Sequence, residues 1–496
     1  MEVKNRFSKL LEQLIATAEV KHLTLAQALQ FDVSYISKWV SGKVLPAERT
    51  VEDTLKKLCG CLVEDASEIG EEKLYIEYQV TSREDLIKAV FDNLLAEYRY
   101  VQEVQRQNGN NIAPIISYYP EISMKDFLLK MQHPVLRRVK SLNVMAAIDL
   151  LSMEGEYRMQ AVSLNTEPID SGTEYTYPDV HFSLLIDLNK AQEDIVKNTV
   201  FLSNMVAYLG NVDFKLYHGK FAQGKAMLVV LDEFSVTGML VRRDMCTSVT
   251  VCEGANYARP LYDVIQSVCT REAMVFQKIQ MKKLLVDGYI QSLLSPNREW
   301  MVTQITEHFL PSDLFIELLD HPAMQKAGYD KDTLMYIHKL TQVVLKEKVQ
   351  ILMTATTISD FVVAGRIDFF GEAITLNYEQ RIKIIKYFYE IVQVPGDAEI
   401  RMIKDPLTED FQNRMYPTVF LSISRGYVRI LPDLSKKVQT GGSVLRINAK
   451  EMMNTYKKFF EVIWEREAIL LHTREEIKNY LQHHMQNLQT LVGLAI

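Results

Sequence analysis

Cysteine is scarce in this sequence, which has five cysteines among 496 residues. So few cysteines in so long a chain exclude a disulfide framework, and no Cys-x-x-Cys pair or Cys/His cluster supplies four zinc ligands. Cys59 and Cys61 are two residues apart in a predicted helix and therefore point in different directions. We expect buried or half-buried thiols in a reducing compartment.

Long apolar runs are absent as well. No stretch approaches the ~20 apolar residues that a membrane-spanning helix needs, and the first residues do not have the pattern of a signal peptide. We therefore expect a cytoplasmic protein that does not enter a membrane.

The sequence also lacks the common signatures of catalysis. It has no glycine-rich phosphate loop and no Gly-x-Ser-x-Gly nucleophile motif. His483 and His484 are adjacent in a predicted helix and are splayed by ~100°, which is poor geometry for a metal. We expect no enzymatic activity, no cofactor and no metal site.

Composition places the chain among ordinary globular proteins, with 48% hydrophobic and 24% charged residues, and its length suggests two to four domains. The net charge is −7. Residues 1–66 contain nine Lys or Arg and nine Asp or Glu, so the acidic excess lies downstream of them. To bind nucleic acid, this segment would therefore need cations clustered on one face, and two copies would need to bind together.

The most informative stretch runs from Thr24 to Pro46 and contains two short helical patterns separated by residues 30–33. Asp32 is placed to cap the second helix, and Gly42 is placed to end it. The second helix has apolar residues at Ile36 and Trp39 and polar residues on its other faces. Two helices joined by a tight turn, with the second polar on its outer side, are typical of a helix-turn-helix that reads DNA.

The same stretch resembles the lambda-repressor-like helix-turn-helix family, also called the xenobiotic-response-element family. The resemblance covers roughly residues 6–62, and it rests on these residues: Leu25, Ala26, Leu29, Ile36, Ser37, Lys38, Trp39, Gly42, Lys43 and Pro46. Three positions depart from the family pattern, because Gln30 replaces the turn glycine, His22 replaces a common glutamine, and Val33 replaces a polar base-reading residue. The alternative is a small helical subdomain that only packs.

Position along the second helix assigns roles to the candidate DNA-binding residues. Val33, Ser34 and Lys38 are expected to face the bases in the major groove, since base-reading residues lie near the start of that helix and one turn on. The backbone contacts are assigned to His22, Tyr35, Lys43 and Arg49, and the candidate set is completed by Thr24 and Ser37.

The predicted fold class is mixed: an all-α helix-turn-helix head followed by a large α/β (α+β) region with an internal duplication. The expected divisions are a head at 1–66, a linker at 67–81, a helical lead-in with a first repeat at 82–280, a helical connector at 281–353, and a second repeat with a C-terminal helix at 354–496. The connector is expected to be helical at 290–294, 300–309 and 334–349.

The duplication is visible when the segment from Leu184 is set beside the segment from Glu372. Leu188-Asn189 falls on Leu376-Asn377, and Asp-Phe-Lys-Leu from Asp213 falls on Glu-Ile-Arg-Met from Glu399. Each copy then predicts a strand pair, a third strand and a long helix. We expect the two copies to pack as a pseudo-symmetric pair with a ligand cleft between them.

The two copies weakly resemble the halves of phospholipase-D-like domains, which also occur without catalytic residues as sensor regions. That family's activity requires a His, a Lys two residues on, and a later Asp in each half. The first copy has His218 and Lys220, but Lys225 stands where the Asp is required. The second copy has Lys404-Asp405 without the His, so the resemblance implies a catalytically inactive fold.

One further group, Tyr257, Arg259 and Tyr262, lies near a predicted helix start and is a candidate effector cleft for an anionic or polar ligand. The alternative is that these residues cap the helix or join the repeats. The leading hypothesis is a sequence-specific DNA-binding transcription regulator that binds an operator as a homodimer and senses a small-molecule effector. Two alternatives are an effector-binding or enzymatic protein tethered to DNA by its head, and a scaffold whose head contacts proteins.

Overall fold

The computed structural model of the chain describes residues 5–78, 80, 82–107, 116–137, 141–164, 169–170, 175–176, 179–209, 212–393, 398–404, 417–423, 425–430, 443–466, 469–471 and 473–494. The chain forms two compact units, Met1–Ile116 and Ser117–Ile496. The first contains only helices in its described part, and the second combines helices with two large sheets. The mixed fold class is therefore confirmed.

Six α-helices build the described part of the first unit. They are α1 (Arg6–Ala18), α2 (His22–Leu29), α3 (Val33–Ser41), α4 (Val51–Glu64), α5 (Glu68–Tyr78) and α6 (Arg83–Gln107). Asn5 caps α1, since its side chain accepts a hydrogen bond from the Ser8 N–H at 2.9 Å. The apolar faces of the helices share one core, in which Phe7, Leu25 and Ile36 are fully buried.

The boundary of this unit differs from the expected one. Residues 68–78 of the expected linker form α5, and α6 packs on α1, α4 and α5 and belongs to the same unit. Leu86, Val90 and Leu94 on one face of α6 are buried in the shared core. These apolar side chains of α6 enlarge the core of the short α1–α4 bundle, so the compact unit extends well past residue 66.

The second unit contains two halves of similar design. The first half runs through β1 (Ile116–Ser123), α7 (Met124–Met131), β2 (Ser141–Ile148), α8 (Gly155–Val162), β3 (Ile169–Asp170), β4 (Tyr175–Thr176), β5 (Asp179–Ile186), α9 (Ile195–Tyr208), β6 (Asp213–His218), β7 (Lys225–Val230), β8 (Phe234–Arg242), β9 (Met245–Glu253), α10 (Ala255–Cys269) and β10 (Ala273–Met274).

The second half begins immediately afterwards. It runs through β11 (Phe276–Ile279), α11 (Met281–Asp287), α12 (Tyr289–Leu294), β12 (Arg298–Val302), α13 (Ser312–Leu319), α14 (Pro322–Ala327), α15 (Lys331–Val344), β13 (Val349–Thr354), α16 (Ala355–Ala364), β14 (Arg366–Phe369), β15 (Glu372–Thr375), α17 (Tyr378–Gln393), β16 (Ala398–Ile403), β17 (Thr418–Leu421), β18 (Gly426–Ile430), β19 (Ser443–Ile447), α18 (Lys450–Trp464), β20 (Leu470–Leu471) and α19 (Arg474–Leu494).

The two main sheets have the same strand order, which confirms the duplication. The first is β1-β9-β8-β7-β2-β5-β6-β10 and the second is β11-β19-β18-β17-β12-β13-β16-β20. The cross-strand register matches along a whole row of each sheet. In the first sheet the row is Phe214, Phe182, Val144, Val230, Phe234 and Glu253. In the second sheet the row is Ile400, Ile351, Trp300, Phe420, Tyr427 and Arg446.

The expectation of a helical connector at 281–353 is wrong, because the second repeat already starts at residue 276. This segment contains α11 to α15, but it also contains β12 and most of β13, two central strands of the second sheet. Residues 300–309, expected to be helical, contain the end of β12 and a short 3₁₀ helix at Glu307–Phe309. Short apolar runs such as that of β12 have no period that distinguishes a strand from a helix.

The contact between the halves is not pseudo-symmetric. Helix α9 of the first half packs on α18 of the second half, yet α18 is the counterpart of α10 and α9 is the counterpart of α17. The hydroxyls of Ser203 and Tyr456 are 3.2 Å apart in this contact, and the surrounding side chains of both halves form one hydrophobic core. Different surfaces of the two halves therefore meet, which is a heterologous arrangement.

Three further features complete the fold. Helix α19 folds back on α17 and α16, with Ile477, Leu481 and Leu488 buried. All five cysteines are free thiols, four of them buried. Within the described ranges, no helix combines the length and the apolar composition needed to cross a membrane.

Candidate nucleic-acid interface

The pair formed by α2 and α3 is shaped by its turn residues. Gln30 follows α2 in the left-handed conformation, with φ 57°, and the Phe31 N–H donates to the Ala26 carbonyl at 2.9 Å. The Asp32 carboxylate accepts the Ser34 N–H at 2.8 Å, so the predicted cap of α3 is confirmed. Gly42 has φ 82° and ends α3 as predicted.

The two faces of α3 differ sharply in burial. Ile36, Trp39 and Val40 are buried against the core of the first unit. The opposite face carries Ser34, Tyr35, Ser37 and Lys38, all of them exposed. An amphipathic helix of this kind is held by its apolar side and presents its polar side to solvent.

Helix α1 fixes the C-terminal end of α3. The Ser8 hydroxyl donates to the Trp39 carbonyl at 2.5 Å, and the Asn5 side-chain amide donates to the Gly42 carbonyl at 3.4 Å. A Cβ atom added at Gly42 would lie 3.3 Å from the Asn5 backbone nitrogen and the Ser8 hydroxyl. Both the close approach and the positive φ therefore favour glycine at this position.

The candidate DNA-binding residues divide into exposed and half-buried groups. Besides the exposed residues of α3, the side chains of Lys43 and Arg49 are exposed, Arg49 in a 3₁₀ turn at Glu48–Thr50. His22 and Thr24, in the first turn of α2, are half-buried. Val33 is half-buried and packs on the core of the first unit, so it offers less surface to a partner than the exposed residues do.

Phe31 is an exposed residue that the sequence reasoning did not assign to the site. Its ring is 39% exposed and lies 5.8 Å from the Tyr35 ring and 5.5 Å from the Trp39 ring. The Lys38 ammonium lies 5.4 Å from the centre of the Tyr35 ring. An aromatic residue in the turn before a polar helix was the only signal that the sequence gave for this contact.

Charge at the turn has both signs. Hydrogen bonds from the hydroxyl and the backbone N–H of Ser34 lower the pKa of Asp32, so this carboxylate stays ionised beside the start of α3. Over the described part of the chain, Lys38 and Lys43 are not held in an ion pair. In contrast, Arg99 pairs with Glu52 at 3.0 Å.

The candidate effector residues do not line a cleft between the halves. They belong to α10, where Arg259 forms an ion pair with Asp232, Tyr257 is exposed, and Tyr262 packs against a small apolar cluster. Two gaps between the halves are small: one beside Ser203 and Met301 has a volume of about 10 Å³, and one beside Leu216 and Ile430 has a volume of about 30 Å³. Each has room for roughly one or two water molecules and not for an effector.

The positions of the phospholipase-D-like motif have ordinary partners. The His218 imidazole Nδ1 accepts the Leu188 N–H at 3.1 Å, and the Lys225 ammonium donates to the Phe221 carbonyl at 2.7 Å. Lys404 follows β16, and Asp405 lies outside the described residues. In the part of the chain that can be described, no three His, Cys, Asp or Glu side chains converge as metal ligands.

Two solved structures that are similar to the chain are distant likenesses. No family model and no curated protein matches the chain. A phosphatidylserine synthase from Haemophilus influenzae Rd KW20 is similar at 9% identity and a TM-score of 0.25, over 80% of this chain and 97% of that one. TrmBL2, an archaeal chromatin protein with a novel mode of DNA binding, is similar at 13% identity and a TM-score of 0.22, over 54% of this chain and 99% of that one. Such scores carry no argument about what this chain does.

Proposed function

We propose that the chain is a sequence-specific DNA-binding transcription regulator whose α2–α3 pair is a helix-turn-helix. In this proposal α3 enters the major groove, and Ser34 and Lys38 reach base edges. Lys43 and Arg49 contact the phosphate backbone. The second unit dimerises and senses a small-molecule effector, and it has no catalytic role.

The observation that carries the proposal is the exposed polar face of α3. A helix of nine residues with Ser34, Ser37 and Lys38 exposed on one side has the size and polarity that a major groove admits. The hydrogen bonds that fix its two ends limit the entropy lost on binding. His22 and Thr24 lie at the start of α2, and Tyr35 lies beside Lys38 in α3. In helix-turn-helix pairs, residues at these places contact phosphates or sugars.

The charge of the chain supports binding as a dimer. The first 66 residues have no net charge, so one copy would neutralise only the phosphates near Lys38, Lys43 and Arg49. Two copies on one duplex double these contacts, and their half-sites would lie about one helical turn apart or a multiple of it. We therefore propose a homodimer on a two-fold symmetric operator.

The proposal is tested by sequencing DNA fragments selected by the purified full-length protein at a stated salt concentration. A two-fold symmetric motif is the expected result. Lys38→Ala should then weaken binding to that motif by about 1–3 kcal/mol, or roughly 5- to 150-fold, and relax the preference at one base pair of each half-site.

Lys88→Ala is the matched control, because it removes the same charge from the exposed face of α6, whose packing partners are α1, α4 and α5. Its affinity should stay within twofold of the wild type. Failure to enrich any motif, or equal losses in Lys38→Ala and Lys88→Ala, would contradict the proposal and favour a head that contacts proteins.

A further inference from the structure

The second half contains a cavity of about 310 Å³. Its walls come from α11, α12, the edge strand β11 and the two strands that follow it in the sheet, β19 and β18. Three cations, Lys283, Arg425 and Arg446, line it, and among the described residues one carboxylate, Asp287, lies with them. The volume suits a compact organic molecule, since small-molecule sites begin near ~300 Å³.

The cations lie where a ligand could reach them. All three are exposed, and across the described ranges Lys283 and Arg425 are not engaged in an ion pair. Arg446 donates to the Gln277 side-chain oxygen. A Cβ atom at Gly288 would lie 2.7 Å from Nη1 of Arg425, so a glycine here leaves room for the guanidinium at the cavity wall. With three cations to one carboxylate, the cavity favours an anion.

The floor of the cavity is polar and rigid. Tyr427 and Ser292 line it and are 4% and 8% exposed. The Tyr427 ring packs on Phe420 at 5.3 Å and on Tyr289 at 6.3 Å. A buried aromatic ring with hydroxyl groups beside it can pack an apolar part of a ligand and orient a polar part.

The matching place in the first half is filled by protein. In the aligned rows, Phe234 takes the place of Tyr427 and Glu253 takes the place of Arg446. His133 stacks on the Phe234 ring at 4.4 Å, and its Nε2 lies 3.5 Å from the Glu253 carboxylate. At this point the two halves therefore differ in sign of charge and in the side chain that covers the aromatic ring. Shared folding requirements do not explain the difference, because the first half folds with Phe234 and Glu253 at these positions.

We infer that this cavity is a binding site for a small phosphorylated molecule, with the phosphate held by Lys283, Arg425 and Arg446 and the remainder packed on Tyr427. Arginine pairs bind phosphate oxygens through fixed arrays of N–H donors. If the chain regulates transcription as proposed, this ligand is the effector. The site itself rests on the second half alone.

The test is calorimetric titration of the full-length protein, without DNA, using glucose 6-phosphate and adenosine 5′-monophosphate as probes. Glucose and adenosine are the neutral controls, and inorganic phosphate tests the anion alone. A phosphorylated probe should bind at least tenfold more tightly than its neutral counterpart and than inorganic phosphate. Equal binding of charged and neutral probes, or no binding of either phosphorylated probe at a concentration of about 10 mM, would overturn the inference.

Variants assign the binding to this cavity. The double variant Arg425→Gln, Arg446→Gln should weaken binding at least tenfold, and Asp287→Asn, which removes a negative charge from the lining, should strengthen it. Arg271→Gln changes an exposed arginine of the first half and should bind as the wild type does. Unchanged binding in the double variant would refute the site. The comparison of charged and neutral probes needs no variant, and it is independent of whether DNA binds.

Discussion

The buried arginine of the second sheet gives the sharpest prediction about stability. Arg429 is 1% exposed, and its guanidinium donates to Glu307 at 2.6 Å and, through Nε, to Asp368 at 2.9 Å. Both carboxylates are 2% exposed. Val236 occupies the matching position in β8, two residues after Phe234, so the fold does not need a charge there.

The protonation states in this cluster follow from burial and from its hydrogen bonds. Burial acts to raise the pKa of Glu307, but Arg429 and the Tyr289 hydroxyl outweigh it and lower the pKa to about 2. Burial raises the pKa of Asp368 by more than Arg429 lowers it, and the charge on Glu307 adds to the rise. The core of the cluster is therefore the Arg429–Glu307 ion pair.

Replacing Arg429 with Met should destabilise the second unit by about 3–5 kcal/mol, because a buried carboxylate loses its counter-ion. Hydrogen exchange followed by mass spectrometry of the full chain measures this. Amides of β14 and β18 should exchange faster by roughly two to three and a half powers of ten, while those of the first unit stay unchanged. The loss should be smaller at pH 4, where the carboxylates take up protons more readily.

Two controls separate charge from packing. Arg429→Met combined with Glu307→Gln and Asp368→Asn should recover part of the lost stability, since no unpaired charge remains. Arg271→Met, on the surface, should change stability by no more than about 0.5 kcal/mol. A destabilisation below about 1 kcal/mol in Arg429→Met would show that the ion pair is not buried as described.

Three further predictions concern acid stability and the helices that hold α3. Burial lowers the pKa of both His308 and His338 to about 4, so below pH 6.5 the unfolded chain binds protons that the folded chain does not. Denaturant titrations should therefore show the free energy of unfolding falling between pH 6.5 and 4, by on the order of 3 kcal/mol for each histidine. A free energy of unfolding that stays constant over this range would refute the prediction. Gln30→Gly removes the strain of a non-glycine residue in the left-handed conformation and should stabilise the first unit by roughly 0.5–1 kcal/mol. Hydrogen exchange of the α2 amides measures this, and a loss of stability would contradict the role of the turn. Ser8→Ala removes the hydrogen bond to the Trp39 carbonyl and should lower the stability of the end of α3 by about 1–2 kcal/mol, measured by hydrogen exchange of its amides. Ser41→Ala, whose hydroxyl bonds within α3, is the control, and equal effects of the two substitutions would refute the prediction.

Local chemistry in the sequence was enough to predict the α2–α3 pair. The Asp32 cap, the Gly42 end and the buried spacing of Ile36 and Trp39 all act within a few residues, so they can be read without knowing the rest of the fold. The hairpins and helices that repeat in the second unit were predicted for the same reason. The roles assigned to the exposed residues of α3 stay predictions until DNA binding is measured.

Tertiary structure alone decided the rest. Helix α5 buries little apolar surface, so its sequence resembled that of a linker. Helix α6 belongs to the first unit because its apolar side chains pack on α1 and α4, a contact that the sequence does not show. The segment of β12 is a strand because it pairs with β13 and β17, which are distant from it in sequence.

The chemistry of the second half was equally invisible in the sequence. Arg429, Glu307 and Asp368 lie far apart along the chain, and a sequence does not distinguish a buried charge from a solvated one. The sequence by itself determined which segments can be helices, caps and hairpins, because those preferences depend on neighbours within a turn or two. Which surfaces meet, which charges lose water and where space is left between elements depend on contacts that only the folded chain creates.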